Sequence, residues 1–127
     1  MEVNMAKKTI LVIDDNEMII KAFRALLGED RFEVYGAENG ALGIKEYVRV
    51  KPDLVITDME MPVMSGDKVI ARIKAECPFQ TVLAMSSRSS NEKKAINAGA
   101  TRFFKKPVMP EDVIPYIQWK KEVALIS

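Results

Sequence analysis

The chain has 127 residues, 19 Lys plus Arg against 18 Asp plus Glu, no His, one Cys and 48% hydrophobic residues. A chain of this length buries roughly two thirds of its surface in one fold, so it makes a single domain with a real core and has no room for two. A formal charge of +1 supplies neither a basic face for nucleic acid nor a polybasic membrane anchor, and the lack of His removes histidine base catalysis, histidine metal ligands and a phosphohistidine on this chain.

Cys77, the one thiol, cannot form an intramolecular disulfide or a Cys-x-x-Cys metal site. No run reaches the ~18 apolar residues of a membrane span, and Met1 to Lys8 lacks the apolar core of an export signal. The expectation is a cytoplasmic, unexported chain.

Apolar runs alternate with amphipathic stretches along the whole length, the mark of a parallel sheet covered by helices on both faces. Thr9 to Ile13 is a β-branched first strand. The helix after it, Met18 to Leu27, puts Met18, Ile19, Ala22, Phe23, Leu26 and Leu27 on one stripe and ends at Gly28. Phe32 to Ala37 is the second strand. Gly40 to Val50 is the second helix, with Leu42, Ile44, Tyr47 and Val48 inward and Pro52 as its stop.

Leu54 to Thr57 is the third strand, and Ser65 caps a third helix through about Lys74 with Val69, Ile70 and Ile73 inward. Thr81 to Met85 is the fourth strand, Asn91 to Ala98 a short fourth helix closed by Gly99, and Phe103 to Lys105 the last strand. Pro110, Glu111 and Asp112 open a final helix, since Pro suits a first turn and acids there complement the dipole; Pro115 falls early enough to be tolerated. Residues 1–8 read as a loose lead-in, residues 9–127 as the domain, and Val123 to Ser127 as a fraying end.

In such a sheet ligands bind beyond the carboxyl ends of the strands. Strand one ends in Asp14 and Asp15, strand three in Asp58, strand four in Ser86, and strand five in Lys105, Lys106 and Pro107. A carboxylate cluster this dense repels itself and asks for a hard cation bound through oxygen, Mg²⁺ or Mn²⁺. A divalent ion beside a carboxylate and a lysine also suits a transferring phosphoryl group, with Asp58 placed as nucleophile. Taken singly, Asp14 and Asp15 would serve equally as caps of the following helix, and Ser86 as a structural loop hydroxyl.

Ile13-Asp14-Asp15-Asn16, Thr57-Asp58-Met59-Glu60-Met61-Pro62 with Ser65-Gly66, Met85-Ser86-Ser87, Ala98-Gly99-Ala100 and Lys106-Pro107 agree in order and in strand position. Together they resemble the CheY-like receiver domain of two-component response regulators, over about Lys8 to the C-terminus. The resemblance implies a single doubly wound (βα)5 flavodoxin-like α/β domain with a parallel five-stranded sheet in the order 2-1-3-4-5. It implies Asp58 as phosphoacceptor, Asp14, Asp15, Asp58 and the Met59 carbonyl as Mg²⁺ ligands, and Lys106 as the partner of the phosphoryl group. Ser86 corresponds to the switch hydroxyl, preferred to Ser87 because the run Val82 to Met85 leads into it, and Phe103 to the switch aromatic. Phe103 lacks the hydroxyl of the Tyr often found there, so a switch at that point works by packing, and plain core packing is its competing role. Lys106-Pro107 matches a bond that is cis in the family.

Glu60 and Arg88, two residues beyond Asp58 and Ser86, take positions that tune water access; a Glu60–Arg88 pair would screen the acyl phosphate. The span from Ser86 to Gly99 is shorter than is usual in the family. Implied partners are a histidine kinase or phosphotransfer protein as donor, and a downstream protein or domain on the fourth helix, fifth strand and fifth helix. Ile96, Phe104 and Tyr116 are candidates there for exposed apolar contacts. No nucleic acid or membrane partner is expected, and the chain is a monomer or a phosphorylation-dependent dimer. The only enzymology implied is phosphorylation and dephosphorylation of its own aspartate.

Two other readings compete. A receiver-like interaction module would keep the fold without being phosphorylated. A haloacid-dehalogenase-type phosphatase would carry Asp-x-Asp after strand one, where this chain has Asp14-Asp15-Asn16, and its nucleophile would not wait for strand three. A flavodoxin-like cofactor protein is disfavoured because Asp14 and Asp15 would repel the phosphate its first loop must bind.

Overall fold

Five short apolar runs form one parallel sheet in a computed structural model that describes residues 7–28 and 31–117. The strands are β1 (Lys8–Ile13), β2 (Phe32–Ala37), β3 (Leu54–Asp58), β4 (Val82–Ser86) and β5 (Arg102–Lys105). They lie in the order β2-β1-β3-β4-β5, and every neighbouring pair is parallel. Helices α1 (Glu17–Leu27), α2 (Gly40–Val50), α3 (Gly66–Glu76) and α4 (Glu92–Ala98) connect them, and a 3₁₀ helix spans Pro110–Tyr116. This is the doubly wound flavodoxin-like fold, whose strand order reverses beside β1 and so opens a crevice at the carboxyl ends of β1 and β3.

Both sheet faces are covered, so β1, β3 and β4 carry near-continuous apolar runs, at residues 10–13, 54–56 and 82–85, rather than alternating patterns. Successive residues point to opposite faces: Ile10, Val12, Ile56 and Met85 pack with Phe23 and Val113 on one side. Leu11, Ile13, Val55 and Ala84 pack with Val69, Ile70, Ile73 and Ala95 on the other.

Several expectations need correction. Lys8, read as lead-in, is the first residue of β1; residues 1–6 and Val123 to Ser127 lie outside the described residues. Helix α1 buries Ile20, Phe23 and Leu27, while Met18, Ala22 and Leu26 face solvent. In α2 the buried positions are Gly40 and Gly43, and Leu42 and Val48 are exposed. The helix approaches the sheet so closely that a Cβ on Gly43 would lie 2.6 Å from Ile13 Cδ1, and Ile44 and Tyr47, expected inward, pack beside it as partly buried side chains.

Ser65 stands at the N-cap of α3, yet its hydroxyl donates to Asp67 Oδ1 at 2.6 Å instead of capping a backbone N–H. The α-helix expected after Pro110 is a 3₁₀ helix with Pro115 inside it, not in its first turn. An α-helical turn there would lose the N–H of residue 115 and press its ring on the carbonyl of residue 111. No helix among the described residues is long and apolar enough to cross a membrane.

Candidate functional site

Asp14 and Asp15 follow β1 and precede α1, and Asp58 is the last residue of β3. Asp14 is wholly buried, Asp58 is 3% exposed and Asp15 faces solvent. Each offers one oxygen, and these oxygens all lie within 4.8 Å of one another. An all-oxygen set of this kind can hold a hard divalent cation.

Local bonds fix the acids. Asp14 Oδ1 accepts the Asn16 N–H at 2.9 Å, Asn16 caps α1 through the Met18 N–H, and Asp58 Oδ1 accepts the Met59 N–H at 2.9 Å. The helix-cap role open to Asp14 and Asp15 therefore falls to Asn16. Lys106, just beyond β5 and followed by a cis bond to Pro107, places Nζ 2.9 Å from Asp14 Oδ2 and 3.3 Å from Asp58 Oδ1.

Burial pushes the Asp58 carboxyl up to about 6, the Asp14 charge adds to this, and Lys106 opposes it. Burial works against the Lys106 charge, but the hydrogen bond and charge of Asp14, with those of Asp58, hold its pKa above the ordinary lysine value. At neutral pH the site thus presents an ionised, poorly solvated carboxylate next to a firmly charged ammonium. Such a carboxylate is a competent nucleophile, and the ammonium can offset charge on an anionic group transferred to it.

Ser86, at the end of β4, is buried, whereas Ser87 is exposed. The Ser86 hydroxyl donates to Glu60 Oε2 at 2.6 Å and accepts the Arg88 N–H at 2.9 Å. Glu60 and Arg88 do not pair; they line one cleft of about 550 Å³ with Asp15, Asn91 and Lys94. Asn91, read from sequence as a helix start, donates from Nδ2 to Glu60 Oε2 and to Ser86 Oγ, the latter at 3.0 Å. Nothing in the sequence signalled this, because Asn91 meets Glu60 only through the fold of the β4–α4 connection.

The Met59 carbonyl, expected among the metal ligands, accepts the Gly66 N–H at 3.0 Å and closes the β3–α3 loop. Phe103 is half-buried and packs on the α3 side of the sheet. Of the three apolar contact candidates, Ile96 is 44% exposed, but Phe104 and Tyr116 are half-buried and meet edge to face at 5.8 Å.

Residues 10–118 match the family model described as the response regulator receiver domain. The chain belongs to that family. This receiver is 32% identical to the chemotaxis protein CheY of Listeria monocytogenes over 112 residues, covering 86% of this chain and 94% of that one. It is also 34% identical over 106 residues to a protein-glutamate methylesterase/protein-glutamine glutaminase of Halalkalibacterium halodurans; the match covers 80% of this chain but only 31% of that protein. A response regulator receiver domain from Clostridium thermocellum superposes with a TM-score of 0.81 at 31% identity, covering 92% of this receiver and 98% of the other chain. The phosphatase reading gains nothing from these relatives, and the carboxylate that sits against Lys106 at the end of β3 fits a receiver.

Proposed function

We propose that this receiver takes a phosphoryl group onto Asp58 from the phosphohistidine of a histidine kinase or phosphotransfer protein in the cytoplasm, with Mg²⁺. The observation that carries this reading is the placement of the buried Asp58 carboxylate 3.3 Å from Lys106 and within one oxygen cluster with Asp14 and Asp15. An oxygen of Asp58 attacks phosphorus in line, the O–P bond forms, and the P–N bond to the donor imidazole breaks with its electron pair going to nitrogen. Lys106 offsets the charge of the phosphoryl oxygens, and the Ser86 hydroxyl donates to one of them. Water later attacks the same phosphorus, releasing inorganic phosphate and regenerating the carboxylate.

Asp14, Asp15 and Asp58 fit a resident Mg²⁺ (or Mn²⁺) because every donor is a hard oxygen and the cluster carries more negative charge than Lys106 balances. When bound, the ion supplies positive charge to the phosphoryl oxygens. Glu60 and Arg88, on one cleft beside the site, regulate how readily water reaches it. The activity is confined to the receiver's own aspartate, and output passes through α4, β5 and the closing 3₁₀ helix to a protein partner.

Acetyl phosphate labelling, with and without Mg²⁺, tests the reading by intact mass. One Mg²⁺-dependent phosphoryl adduct is expected, absent from Asp58→Asn. No adduct, together with no binding of beryllofluoride, overturns it and leaves an unphosphorylated interaction module.

A further inference from the structure

A serine hydroxyl has one proton to donate and two lone pairs to accept with. In Ser86 all three are engaged: the proton is given to Glu60 Oε2 at 2.6 Å, and the lone pairs take the Arg88 N–H at 2.9 Å and Asn91 Nδ2 at 3.0 Å. Ser86 is also wholly buried, so no water offers it an easy substitute. The hydroxyl therefore cannot donate to a group on Asp58 while it remains bonded to Glu60.

Asn91 reinforces the arrangement from outside. Its amide nitrogen reaches both members of the pair, bonding Glu60 Oε2 and Ser86 Oγ. It stands at the N-cap of α4 without making a side-chain cap bond, although Asn is among the best N-cap residues. Its amide is committed to the Glu60–Ser86 pair instead, which ties the start of α4 to the end of β4.

We propose that Glu60, Ser86 and Asn91 form a resting-state latch, in which the Glu60 carboxylate holds the Ser86 hydroxyl that a phosphoryl group on Asp58 must capture, and Asn91 is the positioning residue that keeps it there. The proposal rests on the phosphoacceptor reading of Asp58. Capture is an exchange of one anion for another: the phosphoryl oxygen replaces Glu60 at the hydroxyl, and the released carboxylate and Asn91 amide carry the change to the first turn of α4. Two carboxylates of the site, Asp14 and Asp58, already face the same rim, so a released Glu60 has no electrostatic reason to follow the phosphoryl group inward.

The test is beryllofluoride binding at saturating Mg²⁺ to the wild type, Asn91→Ala, Ser86→Ala and the double variant, with the Asn91 side-chain amide of the wild type followed by nuclear magnetic resonance. Loosening the latch by Asn91→Ala is expected to tighten beryllofluoride binding by about three- to tenfold, the weight of one such hydrogen bond. In the Ser86→Ala background the same change is expected to do nothing, because no hydroxyl is left to release. The Asn91 amide resonances are expected to move when beryllofluoride binds, a readout that does not depend on any variant folding. Unchanged or weaker binding in Asn91→Ala, an equal effect with and without Ser86, or a static Asn91 amide overturns the latch while leaving phosphorylation of Asp58 intact. Failure of the wild type to bind beryllofluoride at all overturns the phosphoacceptor reading, and the latch with it.

Discussion

Lys106 and Asp14, 92 positions apart in the chain, form a 2.9 Å ion pair in which the acid is wholly buried. The same ammonium is 3.3 Å from Asp58, so one cation serves two buried carboxylates. Removing it leaves both charges uncompensated in a poorly solvated place, which costs far more than the loss of a surface pair. Lys106→Met is expected to lower stability at pH 7, without divalent cation, by about 2–4 kcal/mol in urea unfolding. It should also move the Asp58 titration above its wild-type value, since Lys106 is what pulls that value down.

Asp58 itself is held in a form that folding disfavours. Its folded pKa, about 6, lies above the ordinary 3.8, chiefly through burial and then the Asp14 charge. The folded state therefore binds the Asp58 proton more tightly than the unfolded chain does. Stability associated with this group is full below about pH 4 and is lost as pH rises through about 6, a loss of roughly 3 kcal/mol at most. Asp58→Asn removes the ionisable group, so it is expected to be more stable than the wild type at pH 7 without divalent cation, by about 1–3 kcal/mol. The gap should close toward pH 4 in denaturant titrations, and a gap independent of pH would contradict the assignment.

The sheet was legible in the sequence because β3, β4 and most of β1 are buried on both faces, and a double-sided strand reads as a near-continuous apolar run. Helix faces were less so. Residues 18 to 27 contain apolar side chains on most sides of α1, so periodicity left its phase open, and contact with β2 selected Ile20, Phe23 and Leu27. In α2 the fully buried positions are Gly40, against Met64 and Val69, and Gly43, against Ile13 of the sheet, and both are invisible to any count of apolar side chains.

The acids and Lys106 could be read because each stands at a strand end, where chain order alone says they meet. The Glu60–Ser86–Asn91 bonds could not. They join two loops whose paths depend on the packing of α3 and α4, and the resemblance to the family pointed Glu60 toward Arg88 instead. The bond from the Gly66 N–H to the Met59 carbonyl was hidden for a related reason: its donor belongs to the start of the next helix.

Asp15 separates metal binding from fold stability. It is exposed and has no hydrogen bond or ion pair among the described residues, unlike Asp14 and Asp58. Asp15→Asn is therefore expected to leave metal-free stability within about 0.5 kcal/mol of the wild type. In the wild type, Mg²⁺ should raise stability by about 1–3 kcal/mol at saturation, because the ion binds only the folded cluster. That increment should be strongly reduced in Asp15→Asn and smaller at pH 5 than at pH 7.5, where Asp58 is ionised. Thermal unfolding with and without a chelator reads both effects, and an undiminished increment in Asp15→Asn would remove this residue from the ion's ligands.

Gly66 opens α3, and its N–H closes the β3–α3 loop on the Met59 carbonyl at 3.0 Å. A Cβ at this position would run into the Asp58 carbonyl oxygen and sit 2.7 Å from Met59 Cα, both of them backbone. Two effects of Gly66→Ala oppose each other. The unfolded chain loses freedom, which favours folding by about 0.4–1 kcal/mol, while backbone that cannot swing aside must shift, at a cost of about 1–3 kcal/mol. The overlap is expected to win, giving a net loss of about 1–2 kcal/mol in urea unfolding. Because the displaced atoms belong to Asp58 and Met59, the rate of labelling by acetyl phosphate should fall as well, even where folding is complete. A Gly66→Ala protein that is more stable than the wild type, and labels at the wild-type rate, would show that the loop yields and that Asp58 is not held by this contact.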